Sequence, residues 1–203
     1  VTPHHKAAIA KFVAILPAHK AGLTLDHNTH HTNKETVADL FKSMSEYYSD
    51  DAFVDENQKQ KCLELNEIWT LQWYPNTPVG SHSLSAATLD VLIAWMIQDA
   101  NGAIDVEEVS VLTAQIVELL PPHKGELTLE HNDHLGLYST AGDQIEWNAK
   151  EGWPHIFTSD ADRQVCIDTN EIWELRWNPE IANPGNKLSA SSLEILLDSL
   201  NKN

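Results

Sequence analysis

Shifted by 104 residues, the chain lies on itself without a gap, and this duplication constrains its architecture more than any other feature. Leu16-Pro17-Ala18-His19-Lys20 meets Leu120-Pro121-Pro122-His123-Lys124. Leu23-Thr24-Leu25-Asp26-His27-Asn28-Thr29-His30 meets Leu127-Thr128-Leu129-Glu130-His131-Asn132-Asp133-His134. Cys62 meets Cys166. Asn66-Glu67-Ile68-Trp69, Leu71, Trp73 and Pro75 meet Asn170-Glu171-Ile172-Trp173, Leu175, Trp177 and Pro179. About 29 of the 99 overlapping pairs are identical, against the one in twenty that chance gives. The expected organisation is a first copy over 1–99, a junction over 100–104 and a second copy over 105–203, each long enough for a domain. Val1 aligns with Asp105 and Asn203 with Asp99, so both ends fall in the counterpart of the junction. The chain reads either as a whole protein or as a structural repeat unit of a longer array.

Charge narrows the partners. Lys and Arg number 13 against 30 Asp and Glu, a net charge of −17. Such a surface repels phosphate backbones and attracts cations, so nucleic acid is excluded and another protein or a small ligand is expected. The excess of acid is uneven, with 12 acidic and 7 basic residues through Gly102 and 18 and 6 after it. No apolar run approaches a membrane span. No signal peptide is visible, and the chain starts at Val1 without Met, which leaves the compartment open. Two cysteines at equivalent points of separate copies read as buried free thiols.

Helical periodicity dominates. Ile9, Phe12, Val13 and Leu16 make one stripe that Pro17 ends. Further helices are expected over 33–48, with Val37, Leu40, Phe41, Met44 and Tyr48 inward, over 60–74, with Cys62, Trp69 and Trp73 inward, and over about 85–98. The second copy repeats them at 107–120, 140–150, 164–177 and 189–200. Only Leu23-Thr24-Leu25 and Leu127-Thr128-Leu129 look extended. The expected class is all-α, two tandem modules of four helices. The tryptophans read as core, with a stacking platform for a planar ligand as the alternative.

The residues 97–108 carry Asp99, Asn101, Gly102 and Glu108 at positions 3, 5, 6 and 12 of a twelve-residue loop that also holds Asp105. The residues 160–171 carry Asp160, Asp162, Gln164, Asp168 and Glu171 at positions 1, 3, 5, 9 and 12. Both resemble the EF-hand calcium loop, which takes oxygen ligands at these positions and a Gly at position 6. Each departs from it once, with Ile97 at position 1 and Val165 at position 6. In the first copy, Glu56 to Glu67 puts Lys61 at position 6. The resemblance implies paired helix–loop–helix units, Ca²⁺ as ligand and a calcium-binding or vestigial regulatory role. The residue types also allow a plainer reading, in which 160–171 is a helix start capped by Asp160 or Asp162 and the junction is an Asn-Gly turn.

Three histidines stand in register in both copies, His19, His27, His30 and His123, His131, His134. Their spacing suits a shared zinc, copper or iron ion, with Glu67 or Glu171 as an added oxygen ligand. This gives the second expectation, a transition-metal protein or metalloenzyme, beside the plainer one that these side chains hydrogen-bond free backbone groups. Nothing marks a catalytic nucleophile, and the balance favours a binding role over an enzyme.

Overall fold

The protein is seen in a computed structural model that describes residues 2–19, 22–28, 36–47, 53–74, 82–101, 105–123, 126–132, 138, 140–177, 186–200 and 202, the side chains of 44–47 and 101 excepted. The element order is α1 (Pro3–Ile15), β1 (Leu23–His27), α2 (Val37–Tyr47), α3 (Glu56–Leu65), β2 (Trp69–Trp73), β3 (His82–Ala86) and α4 (Leu89–Asn101) in the first copy. The second copy repeats it as α5 (Val106–Leu119), β4 (Leu127–His131), α6 (Ala141–Lys150), α7 (Asp160–Thr169), β5 (Trp173–Trp177), β6 (Asn186–Ala190) and α8 (Leu193–Leu200).

The strands form one antiparallel sheet in the order β3-β2-β1-β4-β5-β6. The all-α expectation is therefore corrected to a mixed α and β fold. The helix read over 60–74 is α3 followed by a strand, and the equivalent helix over 164–177 is α7 followed by a strand. The physical reason lies at Asn66 and Asn170, which adopt left-handed backbone with φ of 54° and 59° and end the helices there. Beyond them, Trp69, Leu71 and Trp73 alternate with Thr70 and Gln72, a period of two that the tryptophan spacing of four also satisfies. The helices expected over about 85–98 and 189–200 begin later, at Leu89 and Leu193, and residues 85–86 and 189–190 belong to the edge strands β3 and β6.

The two copies share their centre. β1 pairs with β4 in antiparallel register, Leu25 opposite Leu129 and His27 opposite Leu127. Odd-numbered residues of β1, β2, β4 and β5 and even-numbered residues of β3 and β6 face α1, α4, α5 and α8 and merge with them into one core that includes Phe12, Leu25, Leu71, Leu92, Leu129, Leu175 and Leu196. Smaller clusters lie toward the sheet edges, Val37, Cys62, Ile68 and Ala87 under α2 and α3, and Ala141, Ile145, Cys166 and Ile172 under α6 and α7. Phe53 bridges to Ser85 and Phe157 to Ser189, which covers the outer strands. Burial pushes the Cys62 thiol up to about 11 and the Cys166 thiol up to about 12, the latter with help from nearby Asp162. Both are free and inert at neutral pH. Among the described residues, no helix is long and apolar enough to cross a membrane.

Candidate metal centre

The candidate centre grows from two short motifs. Pro17 and Pro121 follow the last turns of α1 and α5, where proline stops a helix. Two residues on, His19 Nδ1 donates to the Pro17 carbonyl at 2.9 Å, and His123 Nδ1 to the Pro121 carbonyl at 3.0 Å. The second motif closes each inner strand. His27 and His131 are the last residues of β1 and β4, on the helix-covered side with Leu23, Leu25, Leu127 and Leu129. Asn28 and Asn132 follow in left-handed backbone, φ 51° and 52°. Asn28 exchanges backbone and side-chain hydrogen bonds with Ile68, and Asn132 does so with Ile172. Each asparagine amide also donates to the neighbouring carboxylate, Asn28 to Glu67 at 2.6 Å and Asn132 to Glu171 at 2.9 Å.

The histidines pair across the copies. His19 Nε2 lies 2.6 Å from His131 Nδ1, and His27 Nδ1 lies 2.7 Å from His123 Nε2. The far nitrogens of the strand histidines meet carboxylates, His27 with Glu67 and His131 with Glu171, each at 2.6 Å. His27 stacks on Trp69 and His131 on Trp173, with ring centroids 4.1 Å apart in both. Four residues of strand separate the two sites, about 13 Å at the usual rise per residue, so they are two centres and not one binuclear cluster.

Hydrogen-bond bookkeeping makes this arrangement unusual. A carbonyl only accepts, so His19 carries its proton on Nδ1. An ionised Glu171 only accepts, so His131 carries its proton on Nε2. In those tautomers His19 Nε2 and His131 Nδ1 turn their acceptor sides toward each other at 2.6 Å. A shared proton or a metal ion between the nitrogens satisfies both rings. The same count applies to His27 and His123.

The histidine set expected from sequence is thus redistributed. His19 and His27 belong to different sites, and His30 and His134 lie outside the described residues. Glu67 and Glu171, expected as oxygen ligands, instead orient the imidazoles from behind. The pairing across copies has no local sequence signal. It follows from the β1–β4 register, which becomes readable only once the extended LTL segments are placed side by side.

The oxygen-rich stretches do not form loops where described. Asp160, Asp162, Gln164 and Asp168 lie on α7, which is capped by Ser159 and not by either aspartate. Asp162 is buried and accepts from Ser191 and Thr158, while Gln164 donates to Asp168. Asp99 and Asn101 lie at the end of α4. Asp105 caps α5, and Glu108 in its first turn pairs with Lys11. Residues 102–104 lie outside the described residues. Among the described residues, no group of three or more His, Cys, Asp or Glu is placed to hold an ion. Among the described residues nothing supports calcium binding: the carboxylates that the EF-hand spacing aligned lie on or beside helices, where they take part in capping and packing.

The sheet face away from the main core is polar. Thr128 donates to Asp26 at 2.7 Å, and Arg176 pairs with both Glu130 and Glu174. Desolvation raises the Asp26 carboxyl to about 6, against the lowering effect of the Thr128 bond, with Glu130 repelling its charge. A folded value above the unfolded 3.8 means that stability is full below about pH 4 and declines as pH rises to about 6. Asp26→Asn is expected to stabilise the protein by about 1–3 kcal/mol at pH 7.5 and by less at pH 4. Urea denaturation at the two pH values checks this.

Comparison of the chain with family models, with curated proteins and with solved structures returns no match.

Proposed function

We propose that this protein binds exchangeable transition-metal ions, zinc, copper or iron, one at each cross-copy histidine pair. The observation that carries the reading is the pair of facing nitrogens whose other ring nitrogens are already committed to acceptors. A ring that donates through one nitrogen to a carboxylate or a backbone carbonyl and turns the other to the ion is the usual arrangement of a metal-ligating histidine. An ion bonded to both nitrogens at about 2.0–2.1 Å in tetrahedral geometry would open each pair by about 0.7 Å. Two protein ligands leave positions for water, which suits an ion that is carried or buffered better than one locked in a four-ligand structural site. Neither copy completes a site alone, so the ion bridges the two halves.

Equilibrium dialysis of untagged protein against Zn²⁺, Cu²⁺ and Co²⁺, read by elemental analysis, tests this. Two ions per chain are expected. His123→Ala is expected to remove one, and His19→Ala with His123→Ala both. Glu67→Gln should weaken one site about tenfold by loosening His27. Quenching of Trp69 and Trp173 by Cu²⁺ gives a second readout through the stacked rings. If no ion binds at 100-fold excess (about 1 mM), or if the double variant retains both, the cation between the nitrogens is a proton and the proposal fails.

A further inference from the structure

The duplication supplies an internal control for every surface residue. Trp147, Trp153, Ile156 and Val165 stand where the first copy has Ser43, Ser49, Ala52 and Lys61. They are 47%, 66%, 54% and 44% exposed. Their substitution pattern is inconsistent with a packing role, because the second copy places large apolar groups at positions that the first fills with small or polar ones. Exposed apolar groups beside a recess mark candidate interaction surfaces.

The same lobe has a recess. Ile145, Ala149, Pro154 and Phe157 line a cleft of about 450 Å³ with Asp160 and Arg163 at its polar side. Trp153 and Ile156 flank the Pro154–His155 wall of that cleft. Trp147, in contact with Tyr138, is exposed on the side of α6 away from the cleft-lining Ile145 and Ala149. Around these groups the exposed charges are mainly carboxylates, Asp143, Glu146, Glu151 and Asp160. Of the two nearby cations, Lys150 is tied to Glu146 at 2.7 Å. The half of the chain that carries the lobe has 18 acidic and 6 basic residues.

From this we infer that the α6–α7 lobe docks a basic, amphipathic polypeptide segment from a partner protein, its apolar side chains on Trp153, Ile156 and the cleft and its Lys or Arg residues on the surrounding carboxylates. Charge selects this occupant. A nucleic acid or an anionic lipid surface meets like charge here. A second copy of this chain would set the same carboxylates against themselves across a two-fold axis. An aromatic centre with a charged rim is the common anatomy of a peptide-binding surface, and the rim charges act on encounter rate and partner choice. The inference is independent of the histidine centres.

The test uses the full chain and three synthetic 18-residue helical peptides, one of Lys and Leu, one of Lys and Ser and one of Glu and Leu, read by tryptophan fluorescence and anisotropy. The Lys–Leu peptide is expected to bind at least about tenfold more tightly than either control. Trp153→Ser with Ile156→Ala installs the first copy's residues and is expected to weaken that binding about tenfold with the thermal midpoint retained. Glu146→Gln with Glu151→Gln, on exposed positions, should weaken it several-fold and flatten its salt dependence. Equal binding by the Lys–Ser peptide, or undiminished binding by both variants, would overturn the inference. So would a self-associated protein that becomes monomeric in the Trp153 and Ile156 variant, since the occupant would then be a second copy.

Discussion

Asp162→Ala is expected to lower stability by about 2–4 kcal/mol, whereas Asp160→Ala, two residues away on the same helix, should cost about 0.3–1 kcal/mol. Asp162 is 7% exposed. Its carboxylate accepts from the Ser191 hydroxyl at 2.5 Å, from the Ser191 amide at 3.2 Å and from the Thr158 hydroxyl at 2.7 Å. These bonds fasten α7 to the link between β6 and α8. Truncation leaves a buried amide and two hydroxyls without an acceptor, and the desolvation cost of such orphans exceeds that of the lost bonds themselves. Asp160 is exposed in the first turn of α7 and interacts favourably only with the helix dipole. Thermal and urea unfolding separate the two variants. Similar losses in both would instead indicate a shared role for the two carboxylates, as in a calcium loop.

Glu174→Gln is expected to destabilise the protein by about 3 kcal/mol at pH 7, by about half as much at pH 3 and by little below about pH 2. Glu174 is 6% exposed on β5, and burial alone would raise its carboxyl. The His155 hydrogen bond at 2.6 Å, Lys187 at 2.9 Å and Arg176 at 3.0 Å outweigh that and hold it at about 2. The folded value lies below the unfolded 4.5, so the stability it contributes is present above pH 4.5 and is lost as pH falls toward 2. His155 Nε2 meets the Asn148 amide at 2.7 Å, so the network ties α6, β5 and β6 together. A glutamine keeps the shape and removes the charge, leaving two cations and an imidazole facing an amide. Urea midpoints for wild type and variant between pH 3 and 7 test this. Parallel curves across that range would be the wrong result. Asp26 works in the opposite sense over pH 4 to 6, so the two carboxyls together place a maximum in the wild-type profile near pH 4 to 4.5.

The duplication, the terminal helices of each copy and the extended LTL segments were legible in the chain because each rests on local signals: identity at fixed offset, a stripe closed by proline and alternation. What the sequence hid was the sheet. Trp69 and Trp73 satisfy a helical spacing of four and a strand spacing of two equally well, and Cys62 extended the helical stripe backwards. The arbiter was Asn66, whose tolerance of left-handed backbone is a stop signal as strong as a glycine when its amide also accepts from the first N–H of α2. The aspartates of 160–171 were ambiguous between capping and ion binding because both uses favour acidic residues near a helix start. The absence of glycine at Val165 favoured the helix. For the candidate centre, residue identity was legible and partnership was not. His19 and His131 are 112 residues apart, and only the antiparallel meeting of β1 and β4 brings them together.

The exchange of histidines across the centre ties the fates of the two halves. After a gene duplication, one half is ordinarily free to drift while the other preserves the ancestral role. Here a lesion at His19 disables the site that His131 occupies, and one at His123 disables that of His27, so neither half carries a spare. Selection on either site therefore polices both halves at once, and the identities between them gather in the Leu-Pro-x-His, LTL and Asn-Glu-Ile-Trp segments that build the shared ground. The halves differ most in the lobes outside that shared ground, the exposed tryptophans among them.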